Sequence, residues 1–269
     1  VERVAGADRA QKEDVLMPSS EDHDRVVLIT GAGKGIGRQM ALAFAERGSS
    51  VAVASRTRSD VDAVVDEVRE AGSGRAHGFT VDVASKASVD VLFDGVMATY
   101  GRIDVLVNNA GIYINQPALE MSEEVWDTMF DINVKGVFFC SCRAAREMIE
   151  AGSGKIISIS SILSRVCQDG YAAYGASKAG VEQLTRVLAL EWAGHGITVN
   201  AVAPTSTVTR ETAARLSTPD ALAKAEERIP LGRYCDASDV IGAVTYLASP
   251  AADFVTGQTL YIDGGLSLP

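Results

Sequence analysis

The chain has 269 residues, 47% hydrophobic and 22% charged, a balance that supports a sizeable buried core and excludes the disordered and collagen-like classes. A formal net charge of −10 opposes non-specific binding to nucleic acid or an anionic membrane, and no apolar run approaches the ~18 residues needed to cross a bilayer. The cysteines Cys140, Cys142, Cys167 and Cys235 show neither CxxC spacing nor a histidine cluster, so neither a zinc site nor a disulfide framework is indicated.

Taken in chain order, residues 1–24 are mixed in charge and precede the first strand-like run, so they are expected to be an N-terminal extension to one domain over 25–269. They lack the apolar core of a signal peptide, which makes the cytoplasm the expected compartment. Strand-like runs recur at 26–30, 50–54, 76–81, 103–107, 155–160 and 198–202. Continuous apolar runs such as Val26-Val27-Leu28-Ile29 suit strands covered on both faces, as in a parallel sheet. Between them, 36–47, 61–71, 89–100, 123–150 and 172–193 carry helical periodicity, and a last helix over 237–248 precedes a strand at 259–262. This βα alternation predicts a doubly wound α/β sandwich of three layers around about seven strands. The stretch 206–230 breaks the alternation and is the expected lid.

The first strand runs into Gly31, Gly33, Lys34, Gly35, Ile36 and Gly37 and then into a helical pattern. Glycines there let backbone approach a diphosphate, and the helix N-terminus offers N–H groups and positive dipole. With the later motifs Asn108-Asn109-Ala110-Gly111, Tyr174-Gly175-Ala176-Ser177-Lys178, Thr256-Gly257-Gln258 and Asp263-Gly264-Gly265, the sequence from Arg25 to its end resembles the short-chain dehydrogenase/reductase family, whose fold is of the Rossmann type. The resemblance implies a nicotinamide cofactor, with Asp82 and Val83 beside the adenine and Asn108, Ala110 and Gly111 along the ribose. At the end of the second strand, where an acidic residue would bond the ribose 2′-hydroxyl, stands Ser55, followed by Arg56. With Lys34, Arg56 offers a cationic seat for a 2′-phosphate, so NADP(H) is the expected cofactor.

Tyr174 and Lys178 are four apart on a helical stretch and share a face. A phenol titrating near ~10 exchanges protons poorly at neutral pH, but positive charge from Lys178 and the oxidised nicotinamide is expected to lower that value. The resemblance adds Ser161, rather than its neighbour Ser160, to hold the substrate oxygen, and Asn133 to hold a water behind the lysine. After the sixth strand the family usually has Pro-Gly, whereas this chain has Pro204-Thr205, and Thr209 matches the position expected to bond the carboxamide.

The expected function is hydride transfer between NADP(H) and a small ketone or secondary alcohol, with a wall that includes Ile112, Tyr113, Ile114, Leu163, Arg165, Val166, Cys167 and Ser206. Arg165 and Arg210 are candidates to meet an anionic substrate. A 3-oxoacyl-carrier-protein reductase is the second reading, weakened by Glu147, Glu150 and His195 where a docking acidic carrier needs basic residues. A non-catalytic nucleotide sensor is the third. The resemblance further implies a homo-oligomer, a tetramer, through the segments 123–150 and 172–193.

Overall fold

The computed structural model describes residues 25–71 and 75–268, so the expected extension over 1–24 lies outside the described residues. Strands β1 (Val26–Thr30), β2 (Ser50–Ser55), β3 (Ala76–Thr80), β4 (Val105–Asn108), β5 (Gly154–Ile159), β6 (Ile197–Pro204) and β9 (Thr259–Ile262) form one sheet in the order β3-β2-β1-β4-β5-β6-β9. Every pairing is parallel, with Val26 opposite Ser50 and Val27 opposite Val105 in the two ladders of β1.

Both faces are covered, which is why β1 is buried at all five positions. Val27, Ile29, Val51 and Val53 face one layer, packed on Met40 and Phe44 of α1 (Gly35–Glu46), Val61 and Val64 of α2 (Arg58–Glu70) and Val240 and Val244 of α9 (Ala237–Ala248). Their alternates Val26, Leu28, Ala52 and Ala54 face Leu92 and Phe93 of α3 (Lys86–Tyr100), Ala144 and Met148 of α5 (Gly136–Ala151) and Leu188 of α6 (Ala172–Trp192). Burying a Val, Leu or Phe side chain contributes roughly 1.5–3 kcal/mol, so these two layers dominate the stability of the fold.

The 123–150 segment is not one helix. It divides into α4 (Glu123–Phe130), a π-helical stretch Asp131–Lys135 and α5. A π-turn is a single wide turn inside an otherwise helical run, too short for periodicity to mark its position. Over 206–230 the chain forms the two-residue strand β7 (Thr207–Val208), which pairs with β8 (Cys235–Asp236), and helices α7 (Ala213–Leu216) and α8 (Pro219–Arg228). Thr218 caps α8 by accepting from the Ala221 amide, and Pro219 stands in its first turn, where a missing N–H costs nothing. No helix among the described residues is long and apolar enough to cross a membrane.

Candidate active site

Strand order reverses between β1 and β4, and the chain leaves their C-terminal ends in opposite directions, opening the crevice expected at such a switch point. A cleft of about 1050 Å³ lies there. Its floor includes Gly31, Lys34, Gly35, Ile36 and Gly37. A Cβ on Gly31 would lie 2.7 Å from the Ala110 Cα, and one on Gly37 would collide with the Gly31 carbonyl, so glycine at both positions lets the backbone of this cradle pack closely on itself and on the loop after β4. Gly35 opens α1 with φ +59°, a conformation that glycine adopts without strain. This cradle, whose amides stand at a helix N-terminus, fits a diphosphate.

Gly33 lies behind the turn, where an added Cβ would meet Ser55 Oγ at 3.1 Å. Ser55, Arg56, Asp82 and Val83 line the cleft beyond it, together with Lys34. Asp60, on the first turn of α2, is a group that sequence reading did not single out. Its carboxylate lies 3.4 Å from Lys34 Nζ, so the two cations share their corner with one anion. Ala110 and Gly111 line the cleft, but Asn108 does not. The buried Asn108 amide donates to Ser141 Oγ at 2.9 Å, joining β4 to α5, whereas Asn109 borders the cleft and donates to the Thr30 and Gly31 carbonyls at 3.1 and 3.0 Å.

Ser161, Tyr174 and Lys178 converge on the same cleft. Ser161 follows β5, accepts from the Leu163 amide at 3.2 Å and lines the same cleft as the Tyr174 hydroxyl, whose ionised form it favours. Ser160 points away, donating to the Lys178 carbonyl or to Glu182, at 3.2 and 3.0 Å. Lys178 Nζ donates to the Ile159 carbonyl at 2.8 Å and lies 5.7 Å from the centre of the Tyr174 ring. Burial lowers the Lys178 ammonium to about 8. The Tyr174 phenol is raised by its protein surroundings, so Lys178 alone does not supply the lowering expected of it together with the oxidised nicotinamide. Burial is the main cause, opposed by the Ser161 hydroxyl and reinforced by the neighbouring Tyr171 and Tyr113. At 5.7 Å from the ring centre, Lys178 is spent on a backbone carbonyl and does not reverse that burial.

Asn133 sits in the π-helical stretch and is fully buried. Its Oδ1 accepts from the Ile112 amide at 2.9 Å, while its Nδ2 donates to the Ile112 carbonyl at 2.9 Å and to Ser177 Oγ at 3.0 Å. An added Cβ on Gly111 would lie 3.3 Å from Asn133 Oδ1 and 3.4 Å from Lys178 Nζ, so both groups flank one spot behind the lysine.

Of the expected substrate wall, Ile112, Tyr113, Leu163, Val166, Cys167 and Ser206 line the cleft, and Ile114 and Arg165 do not. The Arg165 guanidinium lies over the Tyr261 ring, 5.2 Å from its centre. Tyr171 joins the wall, its ring centre 6.2 Å from that of Tyr174 and 6.4 Å from that of Tyr113. Arg210 is likewise absent from the lining, whereas Arg215, Lys224 and Arg228 of the 206–230 segment are present with Asp220. Basic residues therefore do stand at the cleft, contrary to the charge argument made from Glu147, Glu150 and His195. Behind Ser161, the buried Glu182 carboxylate accepts from Ser160 Oγ at 3.0 Å, from Ser164 Oγ and from Tyr261 Oη at 2.9 Å, tying β5, the turn after it and β9 together.

Pro204, Thr205 and Thr209 line the nicotinamide end expected from the sequence. Thr205 donates its amide to the Ile262 carbonyl at 3.2 Å, and its own carbonyl accepts from Thr207 Oγ1 at 2.9 Å. The Thr209 hydroxyl donates to Glu211 Oε2 at 2.8 Å.

A doubly wound parallel sheet with a glycine cradle at its switch point and a Ser-Tyr-Lys set in the same cleft defines a nucleotide-dependent dehydrogenase or reductase. Comparison with known proteins agrees. The family described as Enoyl-(Acyl carrier protein) reductase matches residues 31–267. The chain is 40% identical to 3beta-hydroxysteroid dehydrogenase 1 of Eggerthella lenta over 91% of its own length and 94% of that protein. It is 39% identical to a 3-oxoacyl-[acyl-carrier-protein] reductase of Staphylococcus epidermidis, over 90% and 99% of the two chains. Among solved structures, a gluconate 5-dehydrogenase from Burkholderia cenocepacia in complex with NADP and tartrate superposes with a TM-score of 0.86 at 36% identity, over 92% and 96% of the chains. The chain belongs to the short-chain dehydrogenase/reductase family and is an oxidoreductase acting on CH–OH groups.

Proposed function

We propose that this protein is an NADP(H)-dependent carbonyl reductase or secondary-alcohol dehydrogenase in which Tyr174 is the proton donor and acceptor. The observation that carries this reading is the convergence of the Ser161 and Tyr174 hydroxyls on one cleft, with Lys178 buried one helical turn further on. The nicotinamide supplies the hydride. Ser161 holds the carbonyl oxygen, and Tyr174 passes its proton to that oxygen as negative charge develops there. Lys178, fixed by the Ile159 carbonyl, places positive charge behind the phenol, and Asn133 keeps the neighbouring backbone in place for proton resupply. Lys34 and Arg56 at the far end support a preference for the 2′-phosphate, in keeping with the NADP seen in the Burkholderia relative. The partly exposed Trp126, Phe138, Val187 and Leu190 support a homo-oligomer, taken as a tetramer, and the exposed Cys167 thiol suits a reducing compartment such as the cytoplasm.

Arg215, Lys224 and Arg228 at the cleft give a second reading specific support, reduction of a 3-oxoacyl group delivered on an acidic carrier protein. One panel separates them: NADPH oxidation with free polyol-derived, sugar-acid and steroid ketones, with an acetoacetyl thioester analogue, and with the same acyl group on a carrier. Preference for the carrier-linked substrate over its free analogue selects the second reading. In either case, Tyr174→Phe is expected to bind NADPH as the parent does and to lose about 10³-fold or more in kcat. Turnover within tenfold of the parent overturns the assignment of Tyr174.

A further inference from the structure

The 206–230 segment carries a carboxylate that the proposed chemistry does not use. Glu211 Oε2 accepts from Thr209 Oγ1 at 2.8 Å and stands 3.7 Å from the point where a Cβ on Gly35 would lie. Gly35 is the first residue of α1. That helix has no cap of its own, since Lys34 at its N-cap makes no side-chain cap bond and no acidic residue lies in its first turn. One carboxylate thus meets both Thr209, expected at the carboxamide, and the α1 N-terminus, expected at the diphosphate.

We propose that Glu211 is a displaceable latch that competes with the cofactor for Thr209 and the N-terminus of α1, and thereby sets the rate at which nucleotide leaves the enzyme. This rests on the cofactor reading given above. An uncapped helix N-terminus attracts an anion, and Glu211 supplies one from the chain itself. Burial works against its charge, but the bond from Thr209, the nearby amides of Glu211 itself and of Gly35, and the charge of Lys34 outweigh it and hold the carboxyl below its ordinary range. A diphosphate and a carboxylate repel at contact distance, so the two occupy the helix end in turn. Opening needs only the Glu211 side chain to rotate. The turn that carries it is held independently, because the Thr209 amide donates to Thr212 Oγ1 at 2.8 Å and Thr212 Oγ1 donates to the Thr207 carbonyl at 2.7 Å.

The test compares wild type, Glu211→Gln and Glu211→Ala by NADPH fluorescence titration, stopped-flow release and melting temperature. Both variants are expected to bind NADPH about five- to twentyfold more tightly, with most of the gain in slower release. Without nucleotide both are expected to melt below the parent, because α1 loses its anionic partner, and NADPH is expected to raise their melting temperature by more than it raises the parent's. Affinity and release unchanged, or weaker binding in Glu211→Gln, overturns the latch while leaving the cofactor reading intact. Failure of all three proteins to bind either NADPH or NADH overturns that reading and the latch with it.

Discussion

Lys178 is the residue where chemistry and stability pull against each other. Its ammonium is buried against the Ile159 carbonyl oxygen, 2.8 Å away, with no carboxylate among the described residues paired to it. Burial lowers its pKa from 10.5 to about 8. The unfolded chain, with the ordinary value, therefore binds more protons than the folded chain between pH 8 and 10.5, so this group makes stability rise with pH across that window. Below pH 8 its full cost is present, on the order of 3 kcal/mol from the shift alone. The bond to Ile159 returns only about 1 kcal/mol of that. Lys178→Met keeps the shape without the charge, so it is expected to equal or exceed the parent in stability at pH 7 and to lose that advantage by pH 10. Urea unfolding of both proteins at the two pH values measures it. Equal destabilisation of the variant at both would show that the buried charge is not the cost. Activity is expected to fall at least ~100-fold in the same variant, because the phenol then has no positive charge behind it.

At the scale of elements, the π-helical stretch Asp131–Lys135 links the helical layer to the loop after β4. Asn133 replaces what a neighbouring strand would provide, bonding both the amide and the carbonyl of Ile112. Asn133→Ala leaves two backbone groups short of partners and is expected to cost about 2–3 kcal/mol. Because Tyr113 follows Ile112 into the substrate wall, catalysis is expected to fall as well. Thermal unfolding decides the first point, and a melting temperature unchanged from the parent would show that the loop is held by other contacts. This element also marks the limit of what sequence conveys. Strands β1 and β9 are readable residue for residue because continuous apolar runs end at a glycine turn or at Asp263, and Tyr174 and Lys178 are readable because four-residue spacing fixes a shared face. Glu182, Asp60 and Glu211 are not readable, because each acquires a neighbour distant in sequence only through tertiary folding, even though Glu211 also meets Thr209 two residues away. Glu182 meets Tyr261 across 79 positions, and Glu211 meets Gly35 from the far half of the chain. Asn108 and Asn109 show the finer version: adjacent, alike in type, and divided between core and cleft by the strand's alternation.

For the molecule as a whole, charge distribution matters more than charge total. The net charge of −10 repels an anionic nucleotide at long range, yet the cleft is bordered by Lys34, Arg56, Arg215, Lys224 and Arg228, which outnumber the Asp82, Glu211 and Asp220 carboxylates beside them. The two fields predict opposite salt effects. If the net charge governed encounter, added salt would screen repulsion and speed NADPH association; if the cleft cations govern, salt slows it. With a Debye length of ~10 Å at 0.1 M salt, charges bordering the cleft act on an entering nucleotide more strongly than charges on the far surface, and in the lining those five cations outnumber the three carboxylates. Association measured by stopped flow from 20 to 300 mM salt, roughly the range over which that length shrinks severalfold, is therefore expected to slow as salt rises. Arg56→Asp is expected to flatten the dependence and to shift preference toward NADH, since a carboxylate beside Ser55 accepts from a ribose hydroxyl and repels a 2′-phosphate. A parent rate that rises with salt would mean that the acidic surface governs capture, and unchanged cofactor preference in the variant would remove Arg56 from the phosphate seat.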